Sequence, residues 1–431
     1  MPRTVAVVGA GAAGLAAARE LLREGLAVAV FEKSGRAGGT WAYDPRADAD
    51  PLGRDPASPG AVHGSLYASL RTNLPRELMG FSDFPLAGRV FAGDARTFPG
   101  HREVLAFLDA FAEESGVAAR IRLHAEVLRV QPLGPDQGQR GGRWRGEGRP
   151  ARWRRRCSTP SSSATATGRC LWCPRSKESR TGKCTATTIE FPNLFEIRNV
   201  VIVGLGASGI DIATEILRVA KSVHIAARYS EGRLGKIELY QNAWMHAEVD
   251  CIQDDGKVRF ADGSVVAADA ILYCTGYHYS FPFLDLDGFI VDDNRVGPLY
   301  KHVFPPKYAP SLSFTIVFQS LELESKWVAA VLSGKAALPS EEGMVAAVQE
   351  HHRRMEEAGR PKRHTHVMMM PGWEEHMNWL AEQVGDPHLD ARRCEMFEKA
   401  IRCLVSLREG YTDRWEDEEA VEENGGAASA S

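Results

Sequence analysis

The chain has 431 residues, 44% of them hydrophobic and 25% charged, with a formal net charge of −4. That length suits two domains, or one inserted in another, and the near-balanced charge offers no global attraction to nucleic acid or to a membrane surface. No apolar run reaches membrane-spanning length, and eight scattered cysteines without framework spacing suit a reducing compartment. The start, "MPRTVAVVGAG", runs straight into an apolar strand without a secretory or transit pattern, so the expected location is the cytoplasm.

Residues 4–8, "TVAVV", read as a buried parallel strand. Gly9, Ala10, Gly11, Ala12, Ala13 and Gly14 follow, then a stretch of helical period ending on Gly25, then a second strand closing on Glu32. Strand, glycine turn, helix, strand and acid within about 30 residues is the dinucleotide-binding arrangement. Gly9 permits the tight turn, Gly11 lets a pyrophosphate approach the backbone, and Gly14 lets helix and strand pack closely. N–H groups at the helix start face the phosphates, and Glu32 can accept hydrogen bonds from a ribose diol.

A polar loop lies between Pro45 and Ala61, an amphipathic helix runs from about Arg102 to Glu114, and "HAEVLRVQ", which contains Val127, reads as a strand. A second copy of the nucleotide pattern begins at Val200, with Gly204, Leu205, Gly206, Ala207, Ser208 and Gly209 at its turn and a helix from about Ser208 to Val219. Ser208 is placed to cap that helix. The next strand ends on Arg228 rather than an acid; a guanidinium there can pair with a 2′-phosphate, which favours NADP over NAD. A hairpin around Asp262 and Gly263 leads to a buried strand ending at Thr275 and Gly276. From about Leu338 the pattern is helical, and residues 413–431 read as a disordered acidic tail. An acid closing the first unit and an arginine closing the second suggest a flavin reduced by NADPH.

The stretches "FEKSGRAGGTWAYD", "SLRTNLPRELMGFSDFPL", "FPGHREVLAFLDAFA", "GLGASGIDIA", "CTGYHYSFPFL" and "SKWVAAVLSG" make the chain resemble the flavin-containing monooxygenases, in particular the plant branch associated with S-oxygenation of methylthioalkyl glucosinolates. The resemblance implies an α/β protein with two Rossmann-like dinucleotide-binding domains, the FAD/NAD(P)-binding fold. The NADPH domain, residues 196–268, would be inserted in a discontinuous FAD domain of residues 1–195 and 269–412. It implies FAD and NADPH as cofactors, O2 as co-substrate, and a small thioether or amine oxygenated through a flavin C4a-hydroperoxide that the protein shields from water. Asn73 matches the family's asparagine beside the flavin ring, and Gly38, Gly39 and Trp41 match its flavin-lining "GGxW". Val127, Thr275 and Gly276 are further candidate cofactor contacts. Two alternatives stand beside this: an FAD/NADPH-dependent disulfide or quinone reductase, and a catalytically impaired isoform or misread gene model. Oligomeric state is not legible.

Other signals carry less. His351, His352, His364 and His366 crowd one region, but no spacing matches a metal site and basic neighbours repel a cation. Cys170 and Cys173 have redox spacing without the helix start that lowers a thiol pKa. The arginines from Arg140 to Arg156 lack a nucleic-acid fold around them, Glu20, Glu113 and Glu114 read as solvated helix faces, and no G-x-S-x-G elbow occurs.

Two departures from the family stand out. "SFTIVFQSLELESKW" replaces a longer, proline-containing apolar run, and Arg154 to Lys177 is a Ser/Arg-rich passage with almost no aliphatic residues. Family members carry a strand resembling "FDAVVVCNGHY" there, and later "HSHNYR". If Cys157 to Ser163 is written TGT TCG ACG CCG TCG TCG TCG, one choice the genetic code permits, then entering one base earlier, on a G ending the Arg156 codon, reads Val-Phe-Asp-Ala-Val-Val-Val. In the same shifted frame Ala164 to Thr167 permits Gly-Asn-Gly-His, and Cys184 to Pro192 permits Met-His-Ser-His-Asn-Tyr-Arg-Val-Pro. Residues 146–199 are therefore expected to be out of frame, and their replacement to form an exposed, mobile loop because it cannot bury an apolar face. Sequencing the transcript is expected to return these alternative triplets; a coding sequence without them removes the idea.

Overall fold

The computed structural model describes residues 4–45, 66–132, 144–148, 169–171, 184–185, 195–228, 233–367, 372–408 and 410–415. Most of residues 146–199, expected to be out of frame, and residues 416–431 of the expected tail lie outside them; Asp413–Trp415 are described and Trp415 is buried, so the tail does not begin at 413. The chain forms two compact units, each discontinuous. The first gathers Met1–Ala42, Leu105–Cys170 and Tyr277–Cys394; the second gathers Tyr43–Val104, Leu171–Gly276 and Glu395–Ser431.

In the first unit, strand β1 (Thr4–Val8), helix α1 (Ala12–Arg23) and strand β2 (Ala27–Phe31) form the expected parallel crossover, in register from Thr4 opposite Ala27 to Val8 opposite Phe31. Strand β3 (Ile121–Arg122) extends the sheet on the far side of β2. Leu15, Ala18 and Leu21 recur at helical spacing on α1 and are buried, as are Leu321, Trp327, Val328 and Val331 of the helix Leu321–Ser333. That helix begins before the expected helical region because its apolar stripe starts at Leu321. Glu20 corrects the sequence reading. It is buried rather than solvated, because Arg19, itself stacked 4.7 Å over the Phe111 ring, donates to it from Nε at 2.6 Å. An enclosed ion pair of this kind needs both partners, since loss of one leaves an uncompensated charge.

The first unit also encloses a group of imidazoles that sequence spacing did not reveal. His302 Nδ1 and His366 Nδ1 lie 3.1 Å apart. His366 Nε2 lies against the main chain of Val296, 3.0 Å from its N–H and 3.2 Å from its carbonyl. The rings of His351 and His376 lie 5.3 and 5.4 Å from that of His302, and the buried Glu324 accepts from Ser320 Oγ at 2.8 Å. Among the described residues no group of three or more His, Cys, Asp or Glu is arranged to hold a metal.

The second unit is built on strand β4 (Asn199–Val203), helix α2 (Ala207–Ile216), strand β5 (Ser222–Ala226), strand β6 (Ala243–His246) and strand β7 (Ala270–Tyr273). The sheet runs Gly235–Lys236, β6, β5, β4, β7, Cys184–Thr185, and is parallel except at Gly235–Lys236. Val200, Val201 and Ile202 of β4 have no exposed surface, as a strand covered on both faces requires. The expected hairpin pairs Lys257–Phe260 with Val265–Ala267. Between the short helix Arg76–Met79 and the helix His101–Glu114, the chain is irregular around two buried charges. The Arg76 guanidinium donates to the carbonyls of Leu86, Arg89, Asp94 and Arg96, and the Glu103 carboxylate accepts from the N–H groups of Phe91, Ala92 and Asp94. No helix among the described residues is long and apolar enough to cross a membrane.

Burial holds the imidazoles of His351 and His366 down to about 4 and that of His302 well below the usual value. Above about pH 6.5 both folded and unfolded chains keep them neutral. As pH falls from there toward 4, the unfolded chain takes up protons that the folded chain refuses, so stability is lost through that window; Asp211, Glu215 and Glu324, all raised by burial, oppose this. The loss expected from His366 alone is about 2 kcal/mol at pH 5. Thermal melts between pH 7 and 5 should show a falling midpoint, and His366→Gln should flatten that dependence.

Candidate functional site

The turn after β1 is closed by backbone. Gly9, at φ +96°, donates its N–H to the Phe31 carbonyl at 2.8 Å. The cap position before α1 is Gly11, which has no side chain, so the first N–H groups of the helix are available to an anion. A Cβ on Gly14 would lie 1.9 Å from the Gly9 carbonyl oxygen, so only hydrogen fits there. The loop carrying Gly38 and Gly39 folds onto this turn: Gly38 donates to the Ala10 carbonyl at 2.9 Å, and a Cβ on Gly39 would meet Gly11 Cα at 2.8 Å. Trp41 ends the single turn Gly39–Trp41 and is half-buried.

Glu32 braces both loops. Its Oε2 accepts from the Ala10 N–H at 2.8 Å, and its Oε1 accepts from the Ser34 N–H at 2.9 Å and Oγ at 2.8 Å. A carboxylate offers about four acceptor positions, so Oε2 retains one for a ribose hydroxyl. Val127 opens the strand Val127–Pro132 and packs on the cluster of Phe281, Phe283 and Phe314.

The second turn repeats the construction. Gly204, at φ +106°, donates to the Ala226 carbonyl at 2.8 Å, and a Cβ there would lie 2.4 Å from the Cys274 carbonyl oxygen. A Cβ on Gly209 would lie 2.2 Å from the Gly204 carbonyl oxygen. Leu205 is half-buried, while Gly206, Ala207 and Ser208 are exposed at the helix start. Ser208 does not cap α2, contrary to expectation: the cap position is Gly206, which has no side chain, and Ser208 lies two residues inside the helix. α2 also stops at Ile216 rather than Val219. Thr275 and Gly276 follow β7 at its C-terminal end, Gly276 at φ +78°. Arg228, two residues past β5, is exposed, with Nε 3.4 Å from Glu248 Oε2.

Asn73 lies in the second unit beside α2. Its Nδ2 donates to Asp211 Oδ2 at 3.4 Å, and its main-chain carbonyl accepts from the Tyr411 hydroxyl at 3.2 Å. One turn further along α2, Glu215 accepts from Tyr67 Oη and Ser69 Oγ, each at 3.2 Å. Asp211 and Glu215 line a cavity of about 380 Å³ together with Tyr67, Arg218 and Tyr411. Asp211 keeps some surface on this cavity but is otherwise surrounded by protein, and burial raises its carboxyl to about 7; Glu215 is raised for the same reason. Asp211 escaped the sequence reading because it sits inside "GASGIDIA", where an acid reads as an ordinary helix residue. Its spacing, two residues beyond Gly209 on a helix with few polar residues, is the signal that could have found it.

Two uncapped helix starts, each on a glycine turn too tight for any side chain, define a protein that binds two dinucleotides, and both turns fit them. The flavin-binding monooxygenase-like family model matches residues 2–152, 175–244 and 234–386. The chain is 42% identical over 442 aligned residues to flavin-containing monooxygenase FMO GS-OX-like 2 of Arabidopsis thaliana, across 98% of this chain and 93% of that protein. S-allyl-L-cysteine S-oxygenase from Allium sativum is 39% identical, with a TM-score of 0.78 over 100% of this chain and 99% of that one. Tmm from Pelagibacter sp. strain HTCC7211, 20% identical over 93% of this chain and 91% of that one with a TM-score of 0.69, shares the fold. The chain belongs to the flavin-binding monooxygenase family. It is an oxidoreductase that uses FAD and NADPH.

Because each inner glycine meets a carbonyl oxygen, a methyl group must push helix from strand at a cost of about 1–3 kcal/mol. Gly14→Ala is expected to purify with less than about half the flavin of the parent, by visible absorbance against protein. Gly209→Ala should keep its flavin and bind NADP⁺ at least about tenfold more weakly by titration.

Proposed function

We propose that the protein oxygenates a soft nucleophile, the sulfur of small thioethers or else the nitrogen of amines, using NADPH and dioxygen. The observation that carries this reading is the pair of nucleotide turns with opposite closing charges, Glu32 after the first and Arg228 after the second, in a chain similar from end to end to an S-oxygenase. A thioether sulfur is a soft nucleophile and needs no activation by the protein, which suits a chain whose site chemistry resides in its cofactors.

The roles follow from position. Gly9, Ala10, Gly11, Ala12, Ala13 and Gly14 hold the FAD diphosphate at the start of α1, and Glu32 holds its ribose. Gly38, Gly39, Trp41 and Val127 line the flavin. Gly204, Leu205, Gly206, Ala207, Ser208 and Gly209 hold the NADPH diphosphate at the start of α2. Arg228 turns from its long contact with Glu248 to the 2′-phosphate, a stronger partner for a guanidinium than an exposed carboxylate. Thr275 and Gly276 close the same end of the β7 sheet, and Asn73 is the catalytic amide. The FAD domain comprises 1–195 and 269–412, with the NADPH domain, 196–268, inserted in it. Bound FAD supplies the two-electron chemistry by which dioxygen is activated; the chain binds, orients and keeps water away. The reducing, NADPH-rich cytoplasm suits this reaction, and Cys251 and Cys274 carry free thiols.

A disulfide reductase would need a reactive dithiol. Among the described residues the cysteine nearest the second turn is Cys274, and it is buried, with burial pushing its thiol up to about 12. The purified chain is expected to be yellow and to bleach on NADPH. With S-allyl-L-cysteine as probe, it should then form about one sulfoxide per NADPH consumed, by mass spectrometry, while leaving a small disulfide unreduced. A colourless, NADPH-inert chain would reject the oxygenase reading, and disulfide reduction without sulfoxide would assign the reductase instead.

A further inference from the structure

We infer that Asp211 is a positioning residue for Asn73, holding the side-chain amide with its NH2 end toward α2 and its carbonyl oxygen turned away. The inference deepens the assignment of Asn73 as the catalytic amide and rests on it for its functional meaning.

The main chain at Asn73 is pinned. Its carbonyl takes the Tyr411 hydroxyl at 3.2 Å, the preceding Thr72 N–H donates to the Pro99 carbonyl at 2.9 Å, and Leu74 is buried. What remains adjustable is which end of the amide meets Asp211 at 3.4 Å. An ionised carboxylate only accepts, so it selects the NH2 end and leaves Asn73 presenting an acceptor. A protonated carboxyl carries a donor and can bond the amide oxygen instead, so Asn73 then presents NH2. One proton on Asp211 therefore exchanges an acceptor for a donor at the far end of Asn73. α2 begins on the second glycine turn, so the residue that sets the amide is fixed to the helix whose start is the nucleotide cradle.

The surroundings place this exchange near neutrality. Burial raises the Asp211 carboxyl to about 7, the Asn73 amide opposes the rise, and Glu215 on the same helix adds to it by repulsion. From the segment before Asn73, Tyr67 faces Asp211, and Arg71 draws Glu215 toward its charged form, as does Arg218 just past the end of α2. From the C-terminal segment come Tyr411 and Asp413, the latter paired with Arg71; from the end of β7 comes Cys274, kept neutral by burial. Tyr67, Tyr411 and Cys274 are all raised, so among these groups Asp211 is the one placed to change charge near neutral pH, with Glu215 raised beside it.

The test follows the Asn73 side-chain amide resonance in the FAD-loaded full chain, labelled with 15N-asparagine and assigned with Asn73→Ser. Between about pH 5.5 and 8.5 the parent signal should titrate once, and in Asp211→Asn it should be flat. Glu215→Gln, which keeps Asp211 in place, should move the midpoint at least about half a unit lower by removing the repelling charge. A flat parent signal, a titration that persists in Asp211→Asn, or a midpoint unmoved by Glu215→Gln would each overturn the inference. The hydrogen peroxide released per NADPH consumed reports on Asn73 itself. If Asn73→Ser leaves that ratio unchanged while the amide titrates as described, the catalytic assignment of Asn73 fails and the positioning by Asp211 stands.

Discussion

The structure depends on two places where a helix leans so closely on the turn before it that only hydrogen fits between them. At Gly14 the obstacle is the Gly9 carbonyl, and at Gly209 it is the Gly204 carbonyl with Cys274 behind it. The close approach fixes the angle at which each helix leaves its sheet. The uncapped N–H groups at each helix start are left open to an anion, the place proposed here for a diphosphate. The missing side-chain caps at Gly11 and Gly206 are part of the same arrangement, since a serine or aspartate there would compete with the ligand.

Enclosed acids are used in two ways. Glu32 is bound by three donors from two loops, so its charge is matched and it works as a brace with one acceptor position to spare. Asp211 has a single long contact to an amide and a second acid one turn away, so its charge is poorly matched and its protonation is adjustable. The first arrangement suits permanent binding of a cofactor, and the second suits a group whose hydrogen-bonding role changes.

Both glycine turns, their flanking strands and the hairpin at Gly263 were legible in the sequence because each is specified within about 30 residues by local period and turn chemistry. What was not legible comes from distant parts of the chain. Asn73 and Asp211 are 138 residues apart, and His302 and His366 are 64 apart. The four histidines noted together in the sequence part company in space: His366 and His351 join His302 and His376, which no local spacing links to them. Glu20 was misjudged because helical period placed it beside solvent, whereas Arg19 and Glu322 bring charge into the packed face. Ser208 was misjudged by two residues, the margin within which helix starts are hard to locate.

The irregular stretch between Met79 and His101 is held by Arg76 and Glu103 through main-chain carbonyls and N–H groups. Every residue except proline offers the same carbonyl and N–H, and proline still offers the carbonyl. The two side chains therefore recognise the path of the loop and are indifferent to its lettering. Such a loop can exchange its exposed amino acids and keep its path, provided the clasp, the tight turn at Gly80 and the buried Phe81, Phe84, Leu86 and Phe98 are kept.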